Sequence, residues 1–154
     1  MSIVAQIFKN KKILPLNTFI EKALYNEKYG YYSTKNPIGA KNDFITAPLI
    51  SELFGEMIGI WCINFWEKLG KPINLNIVEL GPGEGSLCLT LIKVFSRFKA
   101  FNDIIEINLL EKSKLLRKIQ EKKIISKKVK WIKNVEEIKN GPTIFIANEF
   151  FDAL

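Results

Sequence analysis

The residues best suited to chemistry fall in three groups. The first is Glu79-Leu80-Gly81-Pro82-Gly83-Glu84-Gly85, a carboxylate two positions ahead of three alternating glycines. Glycines at that spacing let the backbone turn sharply and approach a ligand closely. A carboxylate beside them repels a pyrophosphate but can pair with an ammonium. The second is Glu111, 26 residues beyond Gly85. A carboxylate at such a distance can accept both hydroxyls of a ribose. The third is Asn148-Glu149-Phe150-Phe151-Asp152, an amide and two acids around two aromatic rings. The chain has no histidine. That removes a histidine base, a Ser-His-Asp triad and any His-ligated metal site, and no metal is expected.

The elements that position these groups are legible in the apolar pattern. Leu75 to Leu80 reads as a buried strand, and about Glu84 to Phe98 as a helix with Leu87, Leu91, Ile92, Val94, Phe95 and Phe98 on one stripe. A ligand on the turn between them would meet backbone N–H groups and the positive end of a helix. Further strands are expected at about Ile104 to Leu110, Val129 to Ile132 and Thr143 to Ala147, with a helix at about Ser113 to Lys123 and a helical turn at Val135 to Ile138. This alternation predicts a parallel α/β sheet with right-handed crossovers. Ligands gather at the carboxyl ends of such strands, where Glu79, Glu111 and Asn148 all fall. Simpler readings stay open: a glycine turn with no ligand, a helix-start carboxylate beside Ser113, and a terminal turn with exposed acids.

Ahead of the sheet, residues 1–73 read as a helical and loop extension, and 74–154 as the sheet-bearing domain. Residues 2–13 are weakly amphipathic and Pro15 breaks them. Thr18-Phe19-Ile20-Glu21 fits a capping box for a helix to about Tyr25. Tyr29 to Ser33 is a turn with three tyrosines that could cover a ligand or pack on the core, and core packing is the preferred expectation. Thr34 to Ala47 reads as a loop. Ser51 can cap a helix from about Glu52 to Leu69, apolar on several sides and therefore expected to be largely buried. Gly70 and Pro72 end it.

The net charge of +7 is concentrated. Residues 112–139 hold eleven Lys or Arg against three Glu, a surplus of 11 − 3 = 8. The lysines interleave with Leu115, Leu116, Ile119, Ile124 and Ile125, and aromatics are nearly absent from the run. They read as the wet face of a helix rather than a nucleic-acid surface, so no nucleic-acid partner is expected. Cys62 and Cys88 read as buried thiols, which suits a reducing, cytoplasmic compartment in a bacterium. No apolar run reaches the length of a membrane span, and no leader pattern is evident at the start.

A dinucleotide-binding turn has Gly-x-Gly-x-x-Gly, whereas here Ser86 takes the third glycine's place. With Glu79 ahead of it, the turn resembles motif I of class I S-adenosylmethionine-dependent methyltransferases. The wider pattern resembles the MidA-like methyltransferases, which include a mitochondrial assembly factor for respiratory complex I. The pieces are Tyr29-Gly30-Tyr31-Tyr32, Asp43-Phe44-Ile45-Thr46-Ala47-Pro48, Ile50-Ser51, Leu53-Phe54-Gly55-Glu56, Trp61, Glu79 to Gly83, and Asn148 to Leu154. Departures from the family are Asn42 for a Gly, Leu49 for a Glu and Glu84 for a common Arg.

The resemblance implies S-adenosyl-L-methionine as cofactor and a protein arginine as acceptor, a complex I core subunit for the mitochondrial members. Thr46, Pro48, Glu79, Gly81, Gly83, Gly85 and Glu111 would hold the cofactor. Asn148, Glu149 and Asp152 would meet the acceptor. A guanidinium keeps its charge up to a pKa above ~12, and carboxylates can hold it, orient one nitrogen and ease proton loss. The family is longer, with strand order 3-2-1-4-5-7-6. This chain is expected to supply only 3-2-1-4, as an N-terminal part, and to self-associate, aggregate or need a second chain carrying the rest of the sheet. The alternatives are a non-catalytic remnant or binding module of a split or decaying gene and, more weakly, a basic nucleic-acid-binding protein.

Overall fold

The computed structural model describes residues 3–9, 11–37, 43, 44 and 46–151. Five helices come first: α1 (Ile3–Phe8), α2 (Leu16–Tyr25), α3 (Tyr31–Thr34), α4 (Ala47–Ile50) and α5 (Glu52–Lys68). The alternating part follows as β1 (Leu75–Leu80), α6 (Ser86–Ser96), α7 (Lys99–Ile104), β2 (Ile105–Leu110), α8 (Lys114–Lys123), β3 (Val129–Ile132), a 3-10 turn (Val135–Glu137) and β4 (Thr143–Ile146). The four strands pair in parallel, as the strand and helix alternation predicts, and in the order β3-β2-β1-β4 that the family resemblance implies. The short turn at Ser96 to Lys99 restarts as α7, a helix absent from the sequence reading.

The sheet's core face is built by alternation. Leu75 and Ile77 of β1, Ile105, Ile107 and Leu109 of β2, Val129 of β3 and Ile144 of β4 pack with Leu87, Leu91, Val94 and Phe95 of α6. Phe101 of α7 lies edge-on between Phe95 and Trp66, at centroid distances of 4.9 and 5.4 Å. Cys62 and Cys88 are free and buried in this cluster. Burial pushes both thiols up, Cys62 to about 12, so neither is a ready nucleophile.

Two readings of the N-terminal part need correction. Thr18 does not cap α2. The helix starts two residues earlier at Leu16, Pro15 stands at its cap position, and no side chain caps it. Proline presets the backbone angle for helix entry, so no capping hydroxyl is needed.

The second correction concerns α5. Ser51 caps it as expected, its side chain accepting from the Leu53 N–H. Yet the helix is not largely buried. Leu53, Met57 and Trp61 are each more than half exposed. The buried face is Gly55, Gly59, Cys62, Ile63 and Trp66. A Cβ on Gly55 would lie 2.9 Å from Thr90 Cγ2, and one on Gly59 2.9 Å from Val94 Cγ1. Small residues let α5 and α6 approach closely, so the helix turns its small face inward and its large apolar face out.

The basic run behaves as a solvated face. Lys112, Lys114, Arg117, Lys123, Lys130 and Lys139 all form ion pairs with glutamates. Among the described residues, no helix is long and apolar enough to cross a membrane.

Candidate functional site

The strand register levels the carboxyl ends of three strands. Leu80 stands opposite Leu110, and Glu79 stands opposite both Leu109 and Ile146. The Gly81 N–H donates to Leu110 O at 3.0 Å, extending the ladder into the turn. Gly81, Gly83 and Gly85 all have positive φ, at 64°, 56° and 82°, a region open chiefly to glycine. The Gly85 N–H donates to Pro82 O at 2.8 Å and starts α6. No side chain caps α6, so its first N–H groups face the strand ends.

Two cavities lie on either side of this turn. The smaller, about 50 Å³, is walled by Thr46, Pro48, Glu79, Gly81, Gly83 and Asn148. The larger, about 270 Å³, is walled by Tyr25, Tyr32, Gly83, Glu111, Leu116 and Phe150. Gly81, Gly83 and Glu149 border both. One elongated ligand bent over the turn could fill both.

Each cavity has its own acid. Glu79 is 4 % exposed, and its Oε2 has no hydrogen-bond partner. Burial, and then the charge of Glu111, push its carboxyl up to about 8. A buried acid with an orphaned oxygen is stabilised by an arriving cation. Glu111 differs. Its Oε1 accepts from the Ser113 N–H at 2.7 Å and its Oε2 from Gln120 Nε2 at 3.1 Å. Burial raises it to about 7, against those two bonds and one from the Lys112 backbone. The helix-start reading of Glu111 is therefore also true: the carboxylate holds the entry to α8 and walls the cavity at once.

The site residues named from the sequence divide as follows. Thr46, Pro48, Glu79 and Asn148 wall the small cavity, Glu111 the large one, and Gly81, Gly83 and Glu149 both. Gly85 walls neither. A Cβ there would lie 2.8 Å from Ile124 Cδ1, so this glycine admits the end of α8 rather than a ligand. Glu149 has a φ of 49° and is exposed, and Asn148 is half-buried. Asp152 lies outside the described residues.

Tyr25 and Leu116 wall the larger cavity without having been named from the sequence, whereas Phe150 belongs to the 148–152 group that was. Tyr32, whose turn reads either as a cover for a ligand or as core packing, stacks on Tyr25 with centroids 5.8 Å apart, and both line the larger cavity. The clustering of tyrosines between 25 and 32 was the available signal. Glu84 adds a clamp: its carboxylate pairs with Lys123 Nζ at 2.6 Å and accepts from Asn36 Nδ2, tying residues 34–37 to the turn.

A more open groove of about 680 Å³ runs between α2 and α8. Its acids and lysines satisfy one another, as Lys112 and Glu21 do at 3.2 Å and Lys114 and Glu27 do more closely. The glycine turn, with its orphaned buried acid, is the better candidate.

Residues 57–154 match a protein family described as "Putative S-adenosyl-L-methionine-dependent methyltransferase". The protein arginine methyltransferase NDUFAF7, mitochondrial, of Xenopus laevis is 35% identical over 174 aligned residues, covering 96% of this chain and 40% of the relative. The Homo sapiens protein of that name is 32% identical with the same coverage. The chain thus spans about 40% of the length of these curated relatives. Among solved structures, a methyl transferase candidate from Burkholderia thailandensis bound to S-adenosyl-homocysteine superposes with a TM-score of 0.73. It is 23% identical, over 92% of this chain and 38% of that one, and shows the shared fold.

Proposed function

This chain belongs to the S-adenosyl-L-methionine-dependent methyltransferase family, and we propose that it forms the donor-binding part of a protein arginine methyltransferase. The observation that carries the reading is the pair of cavities sharing Gly81 and Gly83, one walled by the buried Glu79 and the other by the partly buried Glu111. The donor has an ammonium at one end and a ribose diol at the other. Glu79, buried and unpartnered, fits the ammonium. Glu111 fits the diol, and Tyr25 and Tyr32 offer ring faces to a base. Thr46 and Pro48 close the ammonium side, and the positive-φ glycines Gly81 and Gly83 let the backbone pass close beneath.

When bound, S-adenosyl-L-methionine supplies a methyl group on a sulfonium. The chain's own residues then have to bring a guanidinium into line with it, since alignment gives much of the rate of an in-line displacement. Glu149 borders both cavities, so its carboxylate can hold the guanidinium opposite the middle of the site. Asn148 can accept or donate beside it, and Asp152 has the same expected role. The curated relatives are named as protein arginine methyltransferases. A complex I core subunit as acceptor, a cytoplasmic location suited to two free thiols, and a second chain that pairs beyond β4 belong to the same proposal.

A cofactor-binding module without catalysis is favoured by one feature: Glu149 is exposed, so the acceptor side lacks a closed wall. Incubation with methyl-labelled donor and an arginine-bearing protein, with and without the C-terminal part of a relative, separates the two. Label on arginine only in the combined sample is expected. No label in either sample, with the cofactor bound, would leave the module reading standing.

A further inference from the structure

Gln120 is a polar residue where the apolar face of α8 would take a leucine. It follows Leu116 by one helical turn and precedes Ile124 by another, and it is fully buried. A buried amide is costly unless its donors and acceptor are matched. Here all are. Nε2 donates to Gly83 O at 2.7 Å and to Glu111 Oε2 at 3.1 Å, and Oε1 accepts from Trp131 Nε1 at 2.9 Å. An indole N–H can only donate, so it fixes which end of the amide faces the site. One side chain therefore joins the turn after β1, the acid after β2 and the ring on β3.

The consequence lies at Glu111. A carboxylate offers about four acceptor positions. Gln120 takes one on Oε2 and the Ser113 N–H takes one on Oε1. The Lys112 backbone N–H lies against the same carboxylate, so about one acceptor position stays open on this acid, which walls the larger cavity. An acceptor held there suits a ribose hydroxyl. We propose that Gln120 is a positioning residue that holds the Glu111 carboxylate, in register with the Gly83 carbonyl, to receive a ribose hydroxyl of an adenosyl ligand. This rests on the donor-binding reading given above. Gln120 also favours the ionised form of Glu111, since it can donate but not accept at Oε2. The other titratable groups around Glu111 are Glu79 from β1, Tyr25 from α2, Tyr32 from α3, and Lys112 and Glu149 at the cavity wall.

The test uses the whole chain with adenosine, methionine and S-adenosylhomocysteine as separate titrants, from pH 5.5 to 8.5. Gln120→Met keeps length and bulk but removes the donors. It is expected to weaken adenosine about tenfold or more, the loss of a hydrogen bond to a charged group, and to leave methionine within about twofold. Carbon-13 NMR of the ligand-free chain should show Glu111 titrating at higher pH in the variant. Should that variant not fold, Trp131→Phe frees the amide to turn over and is expected to shift the same resonance in the same direction. Equal losses for adenosine and methionine, or an unmoved Glu111 titration, would reduce Gln120 to a core filler and overturn the inference while the cofactor reading stands. A parent chain that binds neither S-adenosylhomocysteine nor adenosine would overturn both.

Discussion

Glu79 and Glu111 set the chain's response to pH. Both carboxyls are raised, chiefly by burial, and Glu79 most. The folded chain therefore holds more protons than the unfolded one between about pH 4.5 and 8, so stability falls as pH rises through that window. The Glu79 share is on the order of a few kcal/mol, since a tenfold change in proton affinity is worth about 1.4 kcal/mol. Glu79→Gln should be the more stable protein at pH 8 and close to the parent at pH 4.5, as read by denaturant unfolding at both pH values. Equal slopes for parent and variant would mean that the acid is not strained. A ligand ammonium has the opposite effect. It favours the ionised acid, so S-adenosylhomocysteine affinity should rise from pH 6 to 8 in the parent and rise less in Glu79→Gln, where Glu111 alone still ionises in that range.

Much of this residue chemistry was legible from spacing alone. Glu79, Glu111 and the glycines fall at strand ends because apolar runs of four to six residues between turn signals leave little freedom in placing a strand. Gly85 shows where that stopped: its positive φ is a local matter, but its contact with Ile124 depends on how α8 docks. Gln120 was hidden for the same reason, because its three partners lie on three different strands or their turns.

Among the elements, α5 is the instructive case. Its apolar residues cover most of the helix, so periodicity did not say which face packs. The glycine pair at 55 and 59 did carry the answer, because only a face without side chains lets α6 come so near. Trp61 and Trp66 turn this into a measurement. Trp66 is buried, and its Nε1 donates to Pro72 O at 2.9 Å. Trp66→Ala should cost about 3–5 kcal/mol, the usual loss for a buried large ring. Trp61 is half exposed and stacks on Phe65 with centroids 5.1 Å apart. Trp61→Ser should cost under about 1 kcal/mol. Urea unfolding of the two variants decides it, and comparable losses would mean that the exposed face of α5 is covered in solution.

On the scale of the whole molecule, β4 pairs with β1 on one side and with no described strand on the other. Phe145 on it is 53% exposed. An apolar edge with open backbone groups is a template for another strand. The open face of α5, with Leu53, Met57 and Trp61, exposes further apolar side chains. The chain by itself is expected to self-associate, with sedimentation showing a concentration-dependent shift. Phe145→Lys should reduce that shift by placing a charge on the edge. A concentration-independent monomer in the parent would show that the edge is already protected.

For the molecule to be a donor-binding unit, its two cavities must form one site. Calorimetric titration of the chain with S-adenosylhomocysteine at pH 8, beside Gly83→Val, tests this most directly. Gly83 has a φ of 56° and borders both cavities, so a branched side chain there strains the turn and enters the ligand's space. One ligand per chain for the parent and none for a folded Gly83→Val is the expected result. Absence of binding to the parent, or equal binding by both proteins, would contradict the assignment of the site.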